Sequence, residues 1–217
     1  MTASPAPTVA ASHDRRRDGV AAVLVLAWLV GATLAGHYGV WLSLGSVAVF
    51  CGALLLAFEP RRLLPLLRPT AAWIALGAAV GVAMVLATGA LYPVAVGLVP
   101  SVAVQTARLY AAFHALSRAA AMAALVPVVV GEEVVWRGAV YGVLVRRWGT
   151  PSAIGLGTLI YAAAHAPVGS PLLVLTAAAC GLVWSLLRAA TRSLVPTLVC
   201  HVVWDAMVLL VWPLASS

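Results

Sequence analysis

The chain has 217 residues, of which 64% are hydrophobic and 9% are charged. Soluble domains carry about 25% charged residues, so this composition excludes an ordinary water-soluble protein and predicts a polytopic membrane protein. The formal net charge is +7, but the thirteen basic residues, all arginine, stand in short clusters between apolar runs. No continuous basic face exists, so we expect no nucleic-acid partner.

In chain order, a polar tail of residues 1–19 comes first, and its composition predicts a disordered segment. Seven apolar segments follow, most of them near the 20 residues that a helix needs to cross a bilayer. They are residues 20–36, 38–58, 70–90, 119–145, 151–166, 171–188 and 193–212. The predicted fold is therefore all-α, a membrane-embedded bundle of about seven transmembrane helices.

Two stretches do not fit this pattern simply. Pro93 and Pro100 interrupt residues 91–118, which then continue as a sequence typical of an amphipathic interfacial helix, although an eighth span is an alternative. The segment 151–166 is about 24 Å long as a helix, shorter than a typical hydrocarbon core. We therefore expect its end, with His165, to lie inside the protein.

The arginine clusters predict the orientation. With a cytoplasmic N-terminus, seven spans place most arginine clusters inside and leave only Arg108 and Arg118 outside. This agrees with the positive-inside rule. We expect a cell-membrane protein with its N-terminus in the cytoplasm and its C-terminus outside.

The fourth apolar segment contains two adjacent acids, Glu132 and Glu133, followed by Arg137. A charge at the centre of a spanning helix costs about 2.5–3.5 kcal/mol on insertion scales, so such residues normally face a functional interior. Glu133 and Arg137 are four residues apart and share a helix face, whereas Glu132 points about 100° away. Arg137 can thus neutralise one carboxylate and leave the other free to accept a proton.

Two further spans carry ionisable residues at similar depth. His165 follows Tyr161 by one turn, and His201 precedes Asp205 by one turn, so that Asp205 can orient the imidazole. The three spans predict a shared polar site in a core of residues 119–212. Residues 20–118 would form an N-terminal group of transmembrane helices with the interfacial segment.

The residues alone leave three functions open. The buried acids and histidines suit a hydrolase, but they also suit a proton relay in a proton-coupled transporter. A Glu–Arg pair in a bundle is also often purely structural, which would fit a catalytically silent scaffold or immunity protein.

Three short motifs resemble those of one family. GEEVVWRG around Glu132 resembles a Glu-Glu-x-x-x-Arg signature, YAAAH at 161–165 an aromatic residue before a histidine, and HVVWD at 201–205 a histidine followed by asparagine or aspartate. In this order and separation they are similar to the CPBP family, which includes the type II CAAX prenyl endopeptidases and the bacterial Abi proteins.

This resemblance implies an intramembrane endopeptidase that cleaves a membrane-associated or lipidated peptide or protein. Glu132 would activate a water, with assistance from His165. His201 and Asp205 would stabilise the oxyanion, and Glu133 and Arg137 would hold the geometry.

The resemblance leaves metal dependence open. Glu132, His165 and His201 form a donor set that could bind zinc, as in a metalloprotease, although the sequence contains no His-Glu-x-x-His motif. Asp205 stands where asparagine is common; it could act protonated, orient His201 or bind a metal, and we favour the orienting role.

The aromatic residues beside the motifs are candidates for substrate contact. They are Trp136, Tyr161 and Trp204.

Overall fold

A computed structural model describes residues 9–214 of the chain, with side chains from Asp14 onward. Within this range nine α-helices follow one another through short connections. They are α1 (Val9–Tyr38), α2 (Ser46–Phe58), α3 (Pro60–Leu63), α4 (Ala71–Leu98), α5 (Ser101–Phe113), α6 (Arg118–Glu133), α7 (Tyr141–Ala164), α8 (Pro171–Thr191) and α9 (Val195–Asp205).

Three π-helical segments interrupt or extend these helices. Trp41–Gly45 precedes α2, Val134–Val140 joins α6 to α7, and Ala206–Val211 continues α9. In a π-helix the backbone pairs residues five apart, and such segments are frequent at functional sites. Two of the three begin directly after a residue of the predicted site, Glu133 or Asp205.

The helices confirm the predicted all-α polytopic bundle. Five segments of the described chain are long and apolar enough to cross a membrane, and the longest of them covers the 51 residues Arg118–Val168. Gly149 divides that segment into two rods, because its φ of 77° is a left-handed conformation that favours glycine. Together with the shorter apolar helix Val195–Val211, the described residues supply the seven rods expected from the sequence.

The helix boundaries differ from the expected ones at three places. Helix α1 begins at Val9, so the part of the predicted 1–19 tail from that residue is helical, while residues 1–8 lie outside the described residues. Helix α4 continues through Pro93 to Leu98, since prolines are tolerated in membrane helices. Helix α5 has thirteen residues, about 20 Å, which is too short to span the bilayer as an eighth helix.

The first and second halves of the chain share one core. Helix α2 packs on α6, and α4 packs along α9. Gly131 allows the first of these contacts, because a Cβ atom there would collide with the backbone carbonyl of Ala48. Buried side chains from both halves, such as Trp28 and Trp184, belong to the same hydrophobic cluster. The division of the chain between residues 118 and 119 into an N-terminal group of helices and a core with the site stays a prediction.

The arginine-rich segments lie together at one end of the bundle. Arg146 and Arg147 form ion pairs with Asp18 near the start of α1. The loop after α8 reaches the loop after α3, since the amide of Leu194 donates to the carbonyl of Leu66 at 2.8 Å. The opposite end carries Arg118, which donates to the carbonyl of Leu210.

Candidate active site

Glu133 is the fully buried member of the acidic pair, with an exposed fraction of 0%. Its Oε1 atom accepts hydrogen bonds from Arg137 Nη1 at 3.2 Å and from His201 Nδ1 at 3.0 Å. The i,i+4 contact with Arg137 is the one expected from helical spacing. The carboxylate of Glu133 therefore connects α9 with the π-helical segment that follows α6. Its Oε1 atom already accepts from two donor groups.

Helix α8 holds the other side of Arg137. Nη2 of its guanidinium donates to the carbonyl of Gly181 at 3.2 Å. The guanidinium plane also lies 4.4 Å from the ring centre of Tyr161 and 5.1 Å from that of Trp184. Hydrogen bonds and cation–π contacts thus surround a buried charge that would be costly without partners.

Glu132 points toward a cavity instead. Its side chain is 13% exposed, and its Oε2 atom accepts a hydrogen bond from the hydroxyl of Tyr161 at 3.1 Å. The same oxygen lies 3.9 Å from His201 Nε2. The two adjacent carboxylates therefore have different environments, one internal and one facing open space.

His201 lies between three acids. Nδ1 faces Glu133, while Nε2 is 3.4 Å from Asp205 Oδ2 and 3.9 Å from Glu132 Oε2. The ring also stacks on Trp184 at a centroid distance of 3.6 Å and an interplanar angle of 22°. Because ionised carboxylates only accept hydrogen bonds, both ring nitrogens are in positions to act as donors.

His165 also lines the cavity, and one of its ring nitrogens is fixed by the backbone. Nδ1 lies 2.8 Å from the backbone carbonyl of Tyr161. A carbonyl can only accept, so Nδ1 carries the proton in this contact, and the neutral ring has its lone pair on Nε2. Tyr161 therefore contacts both of the predicted central residues, Glu132 through its hydroxyl and His165 through its carbonyl.

These side chains border one cavity of about 350 Å³. Its ionisable lining residues are Glu132, His165, His201 and Asp205, but most of its wall is apolar. The apolar wall includes Leu91, Leu125, Val128, Leu172, Leu173 and Val208. A mainly apolar cavity with a few ionisable groups in its lining suits a ligand that has an apolar segment and a polar group.

The aromatic candidates separate into two groups. Tyr161 and Trp204 line the cavity, and the indole of Trp204 donates to the hydroxyl of Thr88 at 3.1 Å. Trp136 does not line it; its ring packs edge-on against Trp28 and Tyr161 at 5.3 and 5.2 Å. The structure thus places Trp136 behind Tyr161, as a packing residue.

Trp184 is the site residue that sequence reasoning missed. It lines the cavity and stacks on His201, yet it stands in a mainly apolar stretch of α8 without an acid or histidine beside it in sequence. Its positions four residues after Cys180, another cavity residue, and four residues before Arg188 are helical-face signals that could have suggested it.

A metal centre is not preassembled in the described part of the chain. No group of three His, Cys, Asp or Glu side chains there is arranged so that it could hold a metal ion. The set Glu132, His165 and His201 includes two ring nitrogens already bonded to other groups, His165 Nδ1 to a carbonyl and His201 Nδ1 to Glu133. Zinc binding stays a prediction from the sequence, and no step proposed below requires it.

Residues 112–207 match the model of one protein family, described as type II CAAX prenyl endopeptidase, Rce1-like. This range contains all three motifs and extends from the end of α5 to the start of the last π-helical segment. Over this range, which is less than half of the chain, the sequence is similar to the Rce1-like family. The match confirms the predicted CAAX protease family and supports a CAAX-type membrane protease. None of the curated proteins and none of the solved structures matches the chain.

Proposed function

We propose that this Rce1-like protein is an intramembrane endopeptidase that hydrolyses a peptide bond of a membrane-associated or lipidated peptide or protein. The observation that carries the proposal is that ionisable side chains from separate helices meet at one cavity. Glu132 from α6, His165 after α7, and His201 and Asp205 from α9 all border one cavity. These residues supply an acceptor for a proton and donors for a developing negative charge, as amide hydrolysis requires.

Glu132 is the general base of the proposal. Unlike Glu133, it has no cationic partner closer than 3.9 Å, and its carboxylate reaches the cavity. It would take a proton from a water molecule, whose oxygen then adds to the scissile carbonyl carbon. When the tetrahedral intermediate breaks its carbon–nitrogen bond, Glu132 would return this proton to the leaving amine, so that base and acid are one residue.

The two histidines have separate roles. His165 would orient the attacking water through the Nε2 lone pair, since its Nδ1 is fixed by Tyr161. His201 would donate through Nε2 to the oxyanion of the intermediate, while Glu133 holds Nδ1. The same Nε2 lies 3.4 Å from Asp205 Oδ2 without substrate, so its single proton would turn from Asp205 to the oxyanion. Preorganised donors of this kind typically contribute factors of about 10²–10³ to the rate.

The apolar wall of the cavity supports an apolar substrate segment. A lipid chain or a hydrophobic peptide segment would replace water along residues such as Leu125 and Val208, while its scissile bond lies beside the ionisable lining residues. The substrate would enter from the bilayer or its surface. We expect the arginine-rich end of the protein to face the cytoplasm.

The test is the isosteric variant Glu132→Gln in purified full-length protein reconstituted into liposomes. The probe is a fluorescence-quenched, farnesylated peptide that ends in a CAAX sequence, with the same peptide without the lipid for comparison. Loss of the proton acceptor should lower kcat by about 10²–10⁴-fold. The control, Asp14→Asn, changes an acid that pairs with Arg146 far from the cavity and should retain full activity.

Full cleavage by Glu132→Gln would refute the proposed mechanism. If wild-type protein cleaves neither probe but moves protons or solutes across sealed liposomes in a Glu132-dependent manner, the transporter alternative replaces the protease.

A further inference from the structure

The π-helical segment Val134–Val140 creates a backbone problem next to the site. The amide of Tyr141 donates to the carbonyl of Trp136, five residues earlier. In the α-helical spacing that begins at Tyr141, the expected acceptor for the amide of Gly142 is the carbonyl of Gly138. This leaves the carbonyl of Arg137 without a donor from the helix backbone. A buried carbonyl in a membrane protein needs another donor.

Two arginines from outside the segment supply donors at this point. Nε of Arg188, on α8, donates to the carbonyl of Arg137 at 3.2 Å. Nη2 of Arg62, in α3, donates to the next carbonyl, that of Gly138, at 3.1 Å. Arg62 is itself held by Glu59, whose Oε2 accepts from Nη1 at 2.7 Å. Neither arginine lines the cavity.

Helix α8 thereby holds Arg137 at both ends. The carbonyl of Gly181 accepts from the guanidinium, and the side chain of Arg188 donates to the backbone carbonyl. Gly181 and Arg188 are seven residues apart, about two helical turns, so they lie on one face of α8. Trp184 lies on this face between them and stacks on His201.

We propose that Arg188 and Arg62 are positioning residues for peptide hydrolysis. This inference rests on the proposed protease function. They fix the π-helical register that directs the Arg137 side chain to Glu133. Glu133 in turn holds His201, and the same register sets the direction of Glu132 at the end of α6. A shift of about 1 Å in a catalytic group can cost on the order of 10²-fold in rate.

The experiment compares Arg188→Met, Arg62→Met and Arg188→Lys with the control Arg61→Met in the same liposome assay. Methionine keeps the apolar stem and removes the donor, and Arg61 is an exposed neighbour with the same charge. Arg188→Met and Arg62→Met should lower kcat by about 10–100-fold and change KM less than twofold, because neither residue lines the cavity. Arg188→Lys keeps a donor and should recover part of the rate, and Arg61→Met should behave as wild type.

Gly142→Ala tests Arg62 without changing any charge. A Cβ atom at position 142 would collide with the Arg62 guanidinium and displace it from the Gly138 carbonyl. Alanine favours helix more than glycine does, so the variant should keep its thermal stability. A kcat loss similar to that of Arg62→Met, with unchanged melting temperature, is the expected result.

Hydrogen–deuterium exchange over residues 134–142 provides a readout independent of cleavage. Exchange there should increase in Arg188→Met and not in Arg61→Met. Unchanged exchange, or unchanged kcat despite faster exchange, would overturn the positioning role. A wild-type protein that cleaves no probe would refute the proposed function instead, and the exchange data would still decide whether the two arginines hold this register.

Discussion

Glu132 and Glu133 are chemically identical neighbours with opposite structural roles. Glu133 is completely buried and its Oε1 accepts from Arg137 and His201, so its charge is needed to balance theirs. Glu132 has one neutral donor, the Tyr161 hydroxyl, and faces the cavity. Glu133 is therefore expected to matter for the stability of the protein, and Glu132 for the chemistry.

Replacing each glutamate by glutamine separates these two roles. In Glu133→Gln the guanidinium of Arg137 remains buried without a counter-charge, and removing one partner of such a pair costs about 3–5 kcal/mol. Glu132→Gln removes no ion pair of that kind and should cost less than about 1 kcal/mol. Thermal unfolding of both purified variants in the same detergent gives the comparison. A Glu133→Gln protein as stable as Glu132→Gln would contradict this assignment.

Helical spacing was sufficient to predict part of this site. The Glu133–Arg137 pair and the shared face of His201 and Asp205 follow from the four-residue period alone. The contact between His201 and Glu133 does not, because it depends on how α9 is rotated against α6. The hydrogen bond from Tyr161 to Glu132 likewise required the packing of α7. Tyr161 also lines the cavity, so its role in substrate contact stays a prediction.

At the scale of the elements, the contact between α2 and α6 sets where the acidic pair lies. Gly131 directly precedes Glu132, and its missing side chain lets α6 approach the backbone of α2 at Ala48. Small residues at helix contacts are the usual means of close approach in membranes. The carbonyl of Ala48 belongs to the backbone of a packed helix, so it cannot move aside as a side chain could.

Gly131→Ala should therefore separate α2 from α6. The expected cost is about 1–3 kcal/mol, typical of overpacking in a closed core, together with reduced cleavage because Glu132 moves with the helix. The matched control is Gly155→Ala in α7, where an added Cβ meets no atom within 4 Å. There the greater helix propensity of alanine should leave the melting temperature unchanged or raise it. Equal stability of the two variants would exclude a special role for this contact.

At the scale of the whole molecule, the hydropathy of the sequence predicted the number of membrane-crossing helical rods. The packing of these rods against one another determines their positions. The short rod before His165 was predicted to end inside the protein, and His165 is indeed buried, at 6% exposure. The helical continuation through Pro93 and the three π-helical segments were not predictable, since both depend on partners that compensate the disturbed backbone.

The orientation in the membrane is the remaining large-scale prediction. The segments rich in arginine gather at one end of the bundle, which the positive-inside rule assigns to the cytoplasm. Ala190, near the end of α8, lies at that end, and Ala115, between α5 and α6, lies at the other; both are exposed. The described cysteines, Cys51, Cys180 and Cys200, are all buried, so they should react slowly with a polar thiol reagent.

Single cysteines introduced at these two positions can therefore report the topology of the full-length protein. In sealed right-side-out vesicles, a membrane-impermeant maleimide should label Ala115→Cys at once and Ala190→Cys only after permeabilisation, while the wild type stays unlabelled. The reverse pattern would invert the predicted orientation. Labelling of both positions from the same side would contradict the bundle itself, because the two rods of Arg118–Val168 and helix α8 make three crossings between residues 115 and 190, and three crossings place these positions on opposite sides.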